Sequence, residues 1–320
     1  MTDLSRRLFL QGAGGFALAT AGFGSYAFAL EPGLSLQITS YRLTPPNWPE
    51  GLTVRAAILS DIHACEPWTP AARVRSIAEA ANALSPDIIF ILGDFNGSQR
   101  HLVRPVTPPE WGEALSVLDA PLGVYSILGN HDWWHGALPG MPSDDAAGIR
   151  QALAAARIRL LENDVVRISK GGRHFWVAGL GDQLAGVFGR HMGEGADDLP
   201  GTLAQITDRG PVILLAHEPY IFRRVPDRVS LTLSGHTHGG QINLPFLGTP
   251  LSLRRFGATF TDLVYGHIVQ NGRHLIISGG LGTSHIPVRF MRPPEIVELT
   301  LGGSPIASGL QARANAPGQS

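Results

Sequence analysis

The sequence predicts an α/β fold, because buried strands and helices alternate along the first half of the chain. Short apolar runs of strand-forming residues recur through the sequence and predict buried strands. These runs are residues 54–59, 88–92, 123–128, 211–216, 229–233 and 274–277. Helices are predicted over residues 70–84 and 144–156, and Ser143-Asp144-Asp145 is expected to supply the N-cap of the second. Strand, helix and strand in succession indicate an α/β sheet.

A second sheet is predicted from the later part of the chain, which is rich in strands. Residues 165–169 and 174–178 flank Gly171-Gly172 and predict a β-hairpin. The strands that follow favour a more antiparallel sheet. With 320 residues, of which 44% are hydrophobic, the chain can bury one sizeable core. One large domain and two small ones both fit that length.

Composition excludes several classes of protein. The net charge is −1, so the chain lacks the positive field that draws a protein onto nucleic acid, and a general DNA or RNA binder is not expected. Cys65 is the only cysteine, which rules out an intrachain disulfide and a thiolate zinc finger. A free cysteine is most often a small buried hydrophobe, and that is the interpretation favoured for Cys65 over a metal or redox role.

The N-terminus carries features of an export signal. Residues 1–29 contain the paired Arg6-Arg7 followed by an apolar run without charge until Glu31, which resembles a twin-arginine (Tat) signal. Ala27-Phe28-Ala29 has the form of a signal-peptidase site, so cleavage after Ala29 and export by the Tat translocase to the periplasm or cell envelope are expected. The alternative is an uncleaved membrane anchor over residues 8–29, although five glycines make it a poor one.

Polar residues follow five of the predicted strands at the point where each strand ends. The five blocks are Asp61-x-His63, Gly93-Asp94, Gly129-Asn130-His131-Asp132, His217 and Gly235-His236-Thr237-His238. Each block taken alone is typical of a turn or a helix cap. In an open α/β sheet, however, ligands bind beyond the carboxyl ends of the strands, so we expect these side chains to share one rim. Imidazole and carboxylate without thiolate suit Mn²⁺, Fe²⁺ or Zn²⁺, and the groups exceed what one ion needs.

In this order, the five blocks resemble the calcineurin-like metallophosphoesterase superfamily. Gly239-Gly240-Gln241 and the late segment over residues 279–295 resemble its branch of exported or membrane-associated phosphodiesterases. The resemblance covers about residues 50–300. It implies a four-layer αββα sandwich of two mixed β-sheets flanked by helices, with two divalent metal ions at the strand ends. The chain then divides into the signal (1–29), an N-terminal extension (30–49), the metallophosphoesterase domain (50–301) and a flexible tail (302–320).

The resemblance also implies a set of ligands for each ion. The first ion would be held by Asp61, His63, Asp94 and His238, and the second by Asp94, Asn130, His217 and His236. Asp94 would bridge the two ions with its two oxygens. The ions would activate a water to hydroxide near neutral pH. His131 would face the substrate as the general acid with Asp132 fixing its tautomer, the alternative being a hydrogen-bonding role for His131.

Weaker signals concern the substrate. Arg289 and Arg292 lie in a Gly/Pro-rich loop, and either guanidinium is a candidate to donate hydrogen bonds to a phosphate oxygen. Trp133 and His135 begin an apolar loop over residues 133–142, and a second apolar loop covers 184–189. Exposed apolar loops beside a charged site suit an amphiphilic or lipid substrate and association with a membrane surface. The alternative is that these side chains pack only within their own loops.

The sequence therefore predicts an exported two-metal enzyme that hydrolyses a phosphodiester. One alternative is a pyrophosphatase of the UDP-diacylglucosamine type in lipid A synthesis, whose substrate faces the cytoplasm and conflicts with the export signal. An alternative of another class is an exported metal-binding protein without turnover. His131 and Asp132 weigh against it, because neither is needed to hold metal.

Overall fold

The computed structural model describes residues 11, 22, 24–99, 103–133, 146–185, 195–249 and 262–303. The strands are β1 (Gln37–Leu43), β2 (Val54–Leu59), β3 (Cys65–Glu66), β4 (Ile88–Ile91), β5 (Arg104–Pro105), β6 (Val124–Ser126), β7 (Arg159–Leu160), β8 (Asp164–Lys170), β9 (Arg173–Gly179), β10 (Val212–Leu215), β11 (Leu231–Ser234), β12 (Gly266–Gln270), β13 (Arg273–Ile277) and β14 (Glu295–Leu301). The α-helices are α1 (Glu31–Leu34), α2 (Ala71–Ala83), α3 (Pro108–Leu115), α4 (Asn130–Trp133), α5 (Ala147–Ala155) and α6 (Leu199–Ala204). A π-helical turn, Tyr26–Leu30, precedes α1, and 3₁₀ turns cover Pro219–Arg223 and His238–Gly240.

Two six-stranded sheets form the centre of the described structure. The first has the order β1-β14-β2-β4-β6-β7, and only the β14–β2 pair is antiparallel among its described strands. The second has the order β12-β13-β11-β10-β9-β8, with antiparallel pairs at its two edges and parallel pairs between them. The predicted six strands, the hairpin β8–β9 and the mixed character of both sheets are confirmed.

Side chains alternate along the strands and fill a separate core on each face of the sheets. On β2 and β4, Ile58 and Phe90 face the second sheet, whereas Leu59 and Ile91 face the helices. This alternation follows from the period of two in a strand, and a sheet buried on both faces needs apolar residues at every position. The predicted apolar runs have that composition.

The helices complete four layers. Helices α2, α3 and α5 pack on the outer face of the first sheet, with the indole of Trp111 fully buried among them. The 3₁₀ turn Pro219–Arg223 and α6 cover the outer face of the second sheet, where Phe222 is fully buried. The αββα sandwich is confirmed, and the predicted helices correspond to α2 and α5. The predicted N-cap at residues 143–145 lies outside the described residues.

The predicted N-terminal extension contributes a strand that the sequence analysis did not identify. β1 pairs in parallel with β14 over its whole length and forms the edge of the first sheet. Its sequence, Gln37-Ile-Thr-Ser-Tyr-Arg-Leu43, is half exposed and lacks the continuous apolar run that marks the buried strands. Residues 37–43 therefore belong to the folded domain.

The segment before β1 packs on the loop that leads into β14. The carboxylate of Glu31 is fully buried and accepts hydrogen bonds from the backbone N–H groups of Met291 (2.9 Å) and Arg292 (2.5 Å). The carbonyl of Ala27 accepts another from the N–H of Arg289 (2.9 Å). Most of the predicted signal and tail lies outside the described residues. Within the described part, no helix has the length and apolar character required to cross a bilayer.

Candidate metal centre

Both sheets deliver side chains to one rim, as the strand-end pattern predicts. From the first sheet come the residues that follow β2, β4 and β6, namely Asp61, His63, Asp94 and Asn130. From the second sheet come the residues that follow β10 and β11, namely His217, His236 and His238. Nearly all are buried, and the His236 side chain is 20% exposed. The seven predicted ligands therefore converge across the ends of the two sheets.

Close approach of the loops explains the glycines in the motifs. A Cβ on Gly129 would overlap the carboxylate of Asp94, and a Cβ on Gly235 would overlap the hydroxyl of Ser60. Any larger residue would push these loops apart, and with them the side chains that they carry.

Five of the seven predicted ligands have a left-handed backbone. Their φ angles lie between 44° and 67°, and the residues are Asp61, His63, Asp94, His236 and His238. This region is uncommon for residues other than glycine and costs roughly 1–3 kcal/mol at each position. Strain concentrated on the polar residues of one rim indicates that the fold is built to orient them.

The atoms of the first predicted set lie close together. Nε2 of His238 is 3.0 Å from Nε2 of His63 and 3.4 Å from Oδ1 of Asp61. Donor atoms of these three residues all lie within 4.8 Å of one another, which is close enough for one ion to contact all three.

The second predicted set is joined to the first through Asp94. Oδ2 of Asp94 is 3.4 Å from Nε2 of His63 and 3.2 Å from Nε2 of His217. Its other oxygen, Oδ1, accepts the backbone N–H of His131 at 2.8 Å. Oδ2 of Asp94 is therefore the oxygen that lies close to ligands of both predicted sets. The other two members of the second set are also close together, since Nδ1 of His236 lies 2.9 Å from Oδ1 of Asn130.

Backbone carbonyls orient two of the histidines. Nδ1 of His63 lies 2.9 Å from the carbonyl of Asn96, and Nδ1 of His217 lies 2.6 Å from the carbonyl of Leu92. A carbonyl only accepts, so each Nδ1 carries the proton and donates it. Each Nε2 is thereby turned toward Oδ2 of Asp94, which is the arrangement usual for metal-binding histidines.

The electrostatics also suit a cation. Burial disfavours the Asp94 carboxylate, but the neighbouring His217 ring outweighs it and holds the pKa of Asp94 well below its usual range. Burial and the neighbouring His63 ring keep the pKa of His238 well below its usual range, so its ring is neutral at pH 7. Charged carboxylate and neutral imidazole are the forms that bind metal. The donor set therefore suits a divalent metal ion.

His131 lies at the mouth of this rim. Its ring centroid is 5.1 Å from that of His63 and 5.7 Å from that of His285, and its Nε2 lies 3.4 Å from Oγ of Ser284. Burial, opposed by the nearby Asp94 charge, lowers the pKa of His131 to about 3. The ring is therefore neutral at pH 7.

Asp132 has a different role from the one predicted. Its carboxylate accepts the backbone N–H groups of Asp94 (2.8 Å), Phe95 (2.9 Å) and Gly129 (2.9 Å). Both oxygens are thus engaged in joining the loop after β4 to the loop after β6. Asp132 positions Asp94 and Asn130, and its oxygens are directed to the backbone rather than to the His131 ring.

The predicted substrate contact of Arg289 is wrong, because its side chain is fully buried. Its guanidinium donates to the carbonyls of Gly279, Gly282 and Arg292 and so holds the loop beneath His238. Arg292 is partly exposed, and its guanidinium lies 3.9 Å from the ring centroid of Tyr265.

Of the two loop residues predicted to contact substrate, the structure describes Trp133 but not His135. Trp133 is half-buried against the first core, and the guanidinium of Arg150 lies 5.1 Å from its ring centroid. This packing favours the alternative in which Trp133 contacts only its own surroundings. His135 and most of the two apolar loops lie outside the described residues, so a substrate role for them stays a prediction.

Cys65 is buried away from the metal ligands. Its thiol donates to the side-chain carbonyl of Gln99, and burial raises the pKa of Cys65 to about 12. A thiol in that state neither ligates metal nor reacts readily. The environment agrees with the interpretation of Cys65 as a small buried residue.

The sequence analysis missed two carboxylates at the rim. Asp182 follows β9 in a Gly181-Asp182 pair, and Glu218 comes directly after His217. Donor atoms of His217, Glu218 and His236 lie within 4.8 Å of one another. Gly-Asp after a strand is the signal that identified Asp94, and it was available for Asp182 too.

Comparison with known proteins agrees with this geometry. Residues 54–240 match the family model described as calcineurin-like phosphoesterase. The chain is 32% identical to the metallophosphoesterase YkuE of Bacillus subtilis, over 94% of this chain and 99% of that protein. It is 31% identical to a transmembrane protein with metallophosphoesterase domain from Danio rerio, over 79% of this chain and 54% of that protein.

A more distant relative has a named activity. The UDP-2,3-diacylglucosamine pyrophosphatase LpxG of Chlamydia muridarum is 26% identical, over 85% of this chain and 90% of that protein. The family match spans all five strand-end blocks. Together with the convergent ligands, it shows that this chain belongs to the calcineurin-like phosphoesterase family.

Proposed function

We propose that the protein is a two-metal phosphodiesterase that acts outside the cytoplasm. The observation that carries this proposal is the position of Asp94 Oδ2 between the Nε2 atoms of His63 and His217. A single carboxylate oxygen that lies close to two imidazole nitrogens, each with further donors beside it, suits a pair of ions. Asp61 and His238 would complete the first set, and Asn130 and His236 the second.

When bound, two divalent ions supply positive charge to a phosphoryl group and lower the pKa of a water. The chain's own residues orient the reaction. Asp132 fixes the backbone that carries Asp94, and Arg289 fixes the loop beneath His238. His131 faces the site and is proposed to donate a proton to the departing oxygen. A phosphoryl anion beside the ring favours the protonated form and raises the pKa of His131 above its lowered value.

A turnover screen tests this function. The metal-reconstituted protein is incubated with alkyl and aryl phosphodiesters, phosphomonoesters, phospholipids and a nucleotide-linked lipid pyrophosphate. Hydrolysis of diesters that is lost with a chelator and restored by Mn²⁺ is the expected result. Preferred cleavage of the pyrophosphate would instead support the alternative that the similarity to LpxG favours. Two bound ions without turnover of any substrate would support a non-catalytic metal-binding protein.

The proposed location follows from the Tat-like signal. Replacing both Arg6 and Arg7 with Lys is expected to leave folded, metal-loaded precursor in the cytoplasm, because the Tat machinery reads the arginine pair. Cell fractionation with an antibody to the domain measures the effect. Unchanged export of the double-Lys protein would contradict the Tat assignment and restore the cytoplasmic pyrophosphatase as the better hypothesis.

Residues before Leu30 contact the folded domain. The carbonyl of Phe28 accepts the Trp68 indole N–H at 3.1 Å, and the Tyr26 ring lies edge-on to Phe290 with centroids 6.0 Å apart. Cleavage after Ala29 would remove both contacts, together with that of the Ala27 carbonyl. Intact mass of the exported protein distinguishes a retained N-terminus from one that begins at Leu30.

A further inference from the structure

Two buried carboxylates lie beside the second ligand set and have no part in the function proposed above. Asp182 follows β9 and Glu218 follows β10, and these strands are parallel neighbours in the second sheet. Their exposed fractions are 1% and 0%. Two carboxyl side chains are thus enclosed at the same end of the sheet as His217.

The Glu218 carboxylate is held in one orientation. Its Oε2 accepts hydrogen bonds from the backbone N–H of Gln183 (3.3 Å) and from the Gln183 side-chain amide (3.1 Å). The same amide donates to the backbone carbonyl of Glu218 at 2.8 Å. Gln183 therefore fixes Oε2, and Oε1 points the other way, 3.9 Å from Nδ1 of His236.

Among the described residues, the basic side chain in ion-pair contact with these carboxylates is that of His236, whose Nδ1 lies 3.9 Å from Oε1 of Glu218. Oε1 of Glu218 and Oδ2 of Asp182 are buried and have no hydrogen-bond donor there. Within the same residues, no lysine or arginine forms an ion pair with either group. Burying a carboxylate oxygen without a donor or a cation costs several kcal/mol, by order of magnitude. An ion in contact with Oε1 would offset that cost.

An ion held by His217 and His236 would lie close enough to Oε1 of Glu218 to contact it. Donor atoms of His217, Glu218 and His236 lie within 4.8 Å of one another. We propose that Glu218 is an additional ligand of the second ion and that Gln183 is its positioning residue. This inference rests on the two-ion centre of the proposed function and assigns a residue outside the seven predicted ligands.

An added carboxylate makes the two sets chemically different. The first set offers two carboxylates and two imidazoles, a number and type that zinc accepts. The second would offer oxygens from Asp94, Asn130 and Glu218 together with two imidazoles. An oxygen-rich set of more than four ligands suits Mn²⁺ better than tetrahedral Zn²⁺. We therefore expect the second site to prefer Mn²⁺ over Zn²⁺.

Metal titration of Glu218→Gln tests the assignment without reference to activity. Gln keeps the shape of the side chain but removes its charge. Metal-free protein is titrated with Mn²⁺ while the free ion is followed by electron paramagnetic resonance, with and without competing Zn²⁺. The unaltered protein should bind two ions. Glu218→Gln should bind the first unchanged and the second at least about 10–100-fold more weakly, with a reduced preference for Mn²⁺. The exposed Glu50→Gln is the matched control and should match the unaltered protein.

The outcomes separate this inference from the proposed function. Fewer than two ions in the unaltered protein would overturn the two-ion centre and the Glu218 assignment with it. Two ions in the unaltered protein and unchanged affinities in Glu218→Gln would overturn the Glu218 assignment alone. If circular dichroism shows that Glu218→Gln does not fold, Glu218→Asp replaces it, because it keeps the charge and withdraws the carboxylate by one methylene. Unchanged binding of both ions by Glu218→Asp would equally overturn the assignment.

Discussion

Asp94→Asn is expected to empty both metal sites and abolish hydrolysis, because Oδ2 of Asp94 faces both ligand sets. The oxygen is 3.4 Å from His63 Nε2 and 3.2 Å from His217 Nε2, so removing its charge weakens the attraction for either ion. An amide nitrogen placed there would also direct N–H groups toward the ions. Elemental analysis of dialysed protein should fall from about two ions per chain to about none.

Asp61→Asn provides the contrasting variant. Asp61 lies 3.4 Å from Nε2 of His238 but 4.0 Å from Nε2 of His217, so its loss should mainly affect the first ion. About one ion per chain should remain. The exposed Asp119→Asn controls for the loss of a carboxylate elsewhere and should keep both. Two tightly bound ions in Asp94→Asn would refute the bridging role.

His131→Ala is expected to slow hydrolysis according to how basic the leaving group is, while both ions remain bound. A general acid matters when the departing oxygen needs a proton, as an alkoxide does, and matters little for a nitrophenolate. On an alkyl diester, the loss in kcat/KM should approach the roughly 10²–10⁴-fold contribution typical of acid–base catalysis. On a nitrophenyl ester it should be far smaller. Equal losses on both substrates would show that His131 positions the phosphate instead.

Asp132→Asn tests whether Asp132 acts together with His131 or only positions the backbone. Asp132 accepts three backbone N–H groups, and an amide nitrogen facing any of them leaves a buried donor without an acceptor. That change should cost about 1–3 kcal/mol of folding free energy, measured by denaturant unfolding. Rates on the two esters should fall by similar factors. A leaving-group dependence like that of His131→Ala would restore Asp132 as the partner of the acid.

The buried strands and the polar residues that converge at the rim were predictable because each leaves a local signal. A strand enclosed on both faces, such as β4, must be apolar throughout, and polar residues at its end, such as Asp94, then have few uses other than binding. β1 carries no such signal. It is an edge strand with one face partly exposed, and its pairing with β14 joins residues about 260 positions apart in sequence.

The errors concern side chains whose roles depend on distant backbone. Nothing near Arg289 in sequence shows that the carbonyls of Gly279 and Gly282 surround its guanidinium. Asp132 likewise was paired with its neighbour in sequence, but its hydrogen bonds reach across to Asp94. Glu218 was passed over because its orientation is set by Gln183, on a loop from another strand.

The central claim is that two ions lie at this rim with Asp94 between them. Anomalous X-ray diffraction from crystals of the Mn²⁺-reconstituted protein tests it most directly, because each ion gives its own peak. We predict two peaks, one among Asp61, His63 and His238 and one among Asn130, His217 and His236, both in contact with Oδ2 of Asp94. A single peak, or two peaks of which one does not contact Asp94, would contradict the account.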